Sequence, residues 1–84
     1  MKARQLIGNA PYGPDVLKIL FQAFDEAWDS IAGNFGDNPL EIEAARLRLA
    51  TIILSFPQNE IRNAEQIKSS SLQIMALTYG NRSA

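Results

Sequence analysis

The chain has 84 residues, enough for one core and about one domain, so a second catalytic domain is excluded. It is 46% hydrophobic and 20% charged, an ordinary globular composition, and it contains neither cysteine nor histidine. That rules out disulfides, thiolate and imidazole catalysis and metal sites built on those ligands, while eight bases against nine acids leave a net charge of −1 and no overall field toward nucleic acid or an anionic membrane.

Residues 1–13 (MKARQLIGNAPYG) show no sustained period, and Pro11-Tyr12-Gly13-Pro14 forbids a regular helix across their end. The expectation is a flexible N-terminal arm whose Leu6, Ile7 and Tyr12 are able to dock on the body. The basic start is not followed by the apolar run of about seven or more residues that a secretory signal needs. The densest apolar stretch, residues 49–56, falls far short of the ~20 needed to span a bilayer. A cytoplasmic protein without a membrane partner is therefore expected.

A first helix is predicted over about 14–35. Pro14 suits a first-turn position, and Asp15 complements the helix dipole beside it. At 100° per residue, Val16, Leu17, Leu20, Phe21, Phe24, Ala27, Trp28, Ile31 and Phe35 share one broad face, opposite Lys18, Gln22, Asp25, Glu26, Asp29 and Ser30. Gly33-Asn34-Phe35-Gly36-Asp37-Asn38-Pro39 then ends the helix and turns the chain.

The second helix, about 38–56, starts with Asn38 as N-cap, Pro39 at the first helical position and Glu41 placed for a capping box, and Pro57 stops it. Its wheel shows two apolar faces. One holds Leu40, Ala44, Leu47, Thr51 and Leu54; the other holds Ile42, Ala45, Leu49, Ile52, Ile53 and Phe56. A helix apolar on both sides must be covered on both sides. A third helix, about 59–79, is predicted from Asn59 as N-cap to a stop at Gly80-Asn81, with a weaker face of Ile61, Ala64, Ile67, Ser71, Leu72, Ile74, Met75 and Thr78. The fold class expected is all-α, a three-helix up-down-up bundle forming a single domain over 14–79, with an arm at 1–13 and a tail at 80–84.

Charge is distributed unevenly along this plan. Residues 15–43 carry seven acids against the single base Lys18, whereas residues 44–84 carry five bases against two acids. Asp25, Glu26 and Asp29 fall within about one turn and offer the best enzymatic lead, but the helical period points them to solvent. The Asp/Asn/Gly-rich turn fails as a calcium loop, because a start at Asp29 puts Ile31 and Gly33 where oxygen ligands are required. No glycine pattern of a phosphate loop occurs. Ser69-Ser70-Ser71 has no base to activate a hydroxyl, and Ser71 faces the core. No catalytic residue, cofactor or metal ligand is expected, and the protein is read as a non-enzyme.

The stretches Phe24-Asp25-Glu26-Ala27-Trp28, Asn34-Phe35-Gly36-Asp37-Asn38-Pro39 and Glu43-Ala44-Ala45-Arg46-Leu47-Arg48-Leu49-Ala50 resemble a set of short, uncharacterised bacterial all-helical proteins. The resemblance implies a bacterial cytoplasmic protein and attaches no activity and no site residue. The functional expectation is a helical protein–protein interaction module, homodimeric through surplus apolar surface, with Phe21, Trp28, Leu49, Ile53 and Phe56 as its interface anchors. An unknown protein partner is the other occupant considered. The alternative is a small DNA-associated regulator that uses Lys2 and Arg4 of the arm with Arg46, Arg48, Arg62 and Lys68. A third reading, a carrier of a small apolar ligand, requires a cavity of roughly 300 Å³ or more.

Overall fold

In the computed structural model, which describes residues 2–80, all regular structure is helical, and there are four helices where three were expected. They are α1 (Lys2–Gly8), α2 (Pro14–Ile31), α3 (Pro39–Leu54) and α4 (Ala64–Gly80), with single 3₁₀ turns at Ala32–Phe35 and Gln58–Glu60. The three-helix arrangement with a flexible arm is thereby corrected. The tail beyond Gly80, with the stop expected at Asn81, lies outside the described residues.

The extra helix is the former arm. Ala3 and Ile7, one turn apart on α1, are fully buried, and α1 packs on both α2 and α3. Arg4 forms an ion pair with Asp25 and lies 4.8 Å above the Phe21 ring. Seven residues are too few to be a stable helix alone, so α1 exists because its apolar side closes the core. The punctuators act where expected: α1 ends in a turn in which the Tyr12 N–H donates to Ala10 O at 2.8 Å, and Pro14 opens α2.

The core is a single cluster to which every helix contributes. Leu20, Ala23, Phe24 and Ala27 come from α2 and Leu49, Ala50 and Ile53 from α3, against Ala64, Ile67 and Met75 of α4. Repeated alanines let the helices approach closely, while Phe24 fills the centre. The Cα trace is only 17 Å deep in its shortest dimension, two helix layers at separations of about 8–10 Å, so every helix keeps a side toward water.

Helix α4 begins at Ala64, later than the expected 59. Asn63, not Asn59, supplies the cap, accepting from the Gln66 N–H at 2.7 Å, and the preceding residues form a 3₁₀ turn that leads the buried Ile61 into the core. Ser71 lies in the core as expected, but its Oγ, buried and without a hydrogen-bond partner, carries an uncompensated desolvation cost. Ser71→Ala is accordingly expected to stabilise the fold by about 1 kcal/mol, raising the thermal midpoint by about 4–8 °C in a circular-dichroism melt. An unchanged or lowered midpoint would show that the hydroxyl has a partner in solution.

Candidate functional site

A recess is built where α2 ends, α3 begins and α4 runs past both. Helix α2 closes in the 3₁₀ turn Ala32–Phe35, and Gly36, at φ 65°, supplies the left-handed residue that reverses the chain. The turn folds Phe35 back on Trp28, the rings stacking at 5.5 Å with an interplanar angle of 16°. Helix α3 starts as its sequence directs. The Asn38 side chain accepts from the N–H groups of Leu40 and Glu41 at 3.0 and 3.4 Å, and Pro39 follows it. The reciprocal half of the capping box is absent, so the Glu41 carboxylate has no partner among the described residues.

Between these elements lies a groove of about 630 Å³. Ile31 and Phe35 form one wall, Ala44 of α3 another, and Leu72, Met75 and Ala76 of α4 the third; Ser30, Asn34 and Glu41 supply the polar margin. Ser30, Asn34, Glu41, Ala44 and Ala76 are all exposed, so the groove is a surface feature and not a chamber inside the bundle. Leu40 lies one helical turn before Ala44 and is 82% exposed, the most open of the large apolar side chains among the described residues. A smaller recess of about 310 Å³ sits where the end of α1 meets Leu54.

The two apolar faces read from the wheel of α3 meet different fates. Ala45, Leu49 and Ile53, with Ile52 and Phe56 beside them, pack inward. On the other face α1 and the body half-bury Leu47 and Leu54, whereas Leu40, Ala44 and Thr51 remain exposed. Part of the cover that α3 requires therefore comes from within the chain, and a narrower strip is left open.

The five expected anchors do not gather on one surface. Leu49 and Ile53 are fully buried in the chain's own core. Phe21 is half-buried beneath Arg4, with its ring tip 3.6 Å from where a Cβ on Gly8 would stand. Trp28 is held between Phe35 and the Arg46 guanidinium, which lies 5.3 Å from its ring centre and 5.0 Å from that of Phe24. Phe56 is packed against the core. The wheel pointed to large side chains, and these are the ones a core consumes first. Leu40, which is not among the five, is 82% exposed, and it belongs to a row, Leu40, Ala44, Leu47, Thr51 and Leu54, that alternates by four and three.

Most of the cations named for nucleic acid are engaged within the chain. Besides Arg46 over its two rings, Arg62 Nε donates to Asn59 O at 3.2 Å and Lys68 Nζ is 3.9 Å from Glu65. Arg4 is paired with Asp25, and the side chain of Lys2 is outside those described. Of the acidic trio on α2, Asp25 is in that ion pair and Glu26 accepts from Gln22 Nε2 at 3.0 Å. Among the described residues no three acidic side chains converge to hold a metal ion, and no helix is long and apolar enough to cross a membrane. Compared with protein families, curated proteins and solved structures, the chain matches no family model, no curated protein and no solved structure.

Proposed function

We propose that this chain is a non-enzymatic interaction module of the bacterial cytoplasm that works as a homodimer, associating through the open strip of α3 and the groove beside it. The observation that carries the reading is Leu40, 82% exposed and next in the chain to Glu41, which with mainly apolar side chains lines a groove of about 630 Å³. Burying a leucine fully is worth about 1.5–3 kcal/mol, and the fold leaves that gain unrealised here. A second copy would realise it together with the groove wall. The engagement of Arg46, Arg62 and Lys68 within the chain favours a protein partner over DNA. The exposed lining of the groove likewise favours a protein surface over an enclosed small ligand, although the volume exceeds the roughly 300 Å³ such a ligand needs.

Sedimentation equilibrium at tens of micromolar tests the reading, in the affinity range of small interfaces. Twice the chain mass is expected for the natural sequence. Leu40→Asp should give the single-chain mass with unchanged helicity, because an exposed position tolerates a charge that an apolar contact does not. A natural sequence that stays monomeric while fully helical overturns the proposal.

A further inference from the structure

We infer that α1 is a salt-sensitive strap: it swings off the body as a unit while α2, α3 and α4 stay folded, and its release uncovers apolar surface around Phe21 and Leu54. Helices α2, α3 and α4 each pack on the other two, so they close on one another without α1, which lies against α2 and α3. Of the buried core, α1 supplies only Ala3 and Ile7. A seven-residue helix does not persist once its packing is lost, so undocking and melting of α1 are one event.

The link to α2 lets the strap move. Asn9, Pro11 and Gly13 are exposed, and the space around Gly13 is open. The backbone hydrogen bonds here run from Asn9 N–H to Gln5 O at 2.9 Å, from Ala10 N–H to Ile7 O at 3.1 Å and from Tyr12 N–H to Ala10 O at 2.8 Å. All three stay within α1 and the link, so swinging α1 away breaks none to the bundle. Among the described residues the polar tie across the joint is one ion pair, Arg4 to Asp25, whose side chains are 42% and 54% exposed. A pair so open to water is weakened by salt, whereas the burial of Ala3 and Ile7 is not, so ionic strength acts on the latch. Release exposes two side chains that are now half-buried. Phe21 lies beneath Arg4, and Leu54 lines the smaller recess with Leu6 and Tyr12.

Hydrogen exchange followed amide by amide in the full chain tests the strap, with the natural sequence and Asp25→Asn compared at low and high sodium chloride. Asp25 is exposed on α2, so the neutral side chain leaves the bundle folded. In the natural sequence the amides of Ile7, Gly8 and Asn9 should exchange together, at least about tenfold faster than those of Phe24 and Met75 after correction for intrinsic rates. Asp25→Asn should speed the three α1 amides by about two- to fivefold, the range for an exposed ion pair. High salt should speed them similarly in the natural sequence and much less in the variant, whose latch is already gone. Equal protection of α1 and the core would mean that α1 leaves only when the whole chain unfolds. Exchange of α1 that ignores both Asp25→Asn and salt would mean that its ends fray with the ion pair intact. Either result overturns the strap.

Discussion

Replacing Phe24 with alanine is expected to cost about 3–5 kcal/mol, the range for removing a large aromatic side chain from a packed interior. Phe24 is the largest of the fully buried side chains, and the helices around it are lined with alanines too short to close the void. The substitution also removes the ring beneath the Arg46 guanidinium, 5.0 Å away, whose Nε is already buried without a hydrogen-bond partner. At roughly 0.05–0.15 kcal/mol per residue, an 84-residue chain has about 4–13 kcal/mol of stability in all, so this single change removes a large share. Urea denaturation followed by circular dichroism should show the midpoint fall with little change in slope. A loss below about 1 kcal/mol would mean that Phe24 is not at the centre of the core.

Ile7→Ala is expected to cost about 2–5 kcal/mol, and it tests a different claim. Ile7 belongs to the stretch whose sequence reads as an arm, yet it is fully buried between α2 and α3 together with Ala3. If α1 were only draped over the body, the change would fall within the ±0.5 kcal/mol typical of surface substitutions. The two outcomes are well separated by the same urea titration. Leu6→Ala is the matching control: Leu6 is 40% exposed and its loss should be much smaller.

What could be read from the residues differs from helix to helix, for physical reasons. The course of α2 was legible because its apolar side chains repeat over five turns, enough for a face to stand out from chance. The start of α3 was legible to the residue, since Asn38 and Pro39 carry the capping chemistry themselves. Helix α1 was not, because a seven-residue helix shows at most two turns of any pattern and owes its existence to contacts made across the fold. The start of α4 was expected at Asn59 but is capped by Asn63, after a 3₁₀ turn that leads Ile61 into the core. The site was half legible. The doubly apolar character of α3 was visible, but which of its faces the body would cover depended on α1, and the largest side chains of α3 are the ones that the core takes in, while Leu40 stays exposed.

Trp28 is the only tryptophan, and its indole sits against Phe35, itself a wall of the groove. Its emission therefore doubles as an internal optical gauge. Anything that settles over Phe35 and excludes solvent should move the fluorescence maximum to shorter wavelength, and for the dimer proposed above dilution below its dissociation constant should return it. The proposed self-association can in this way be titrated without a label.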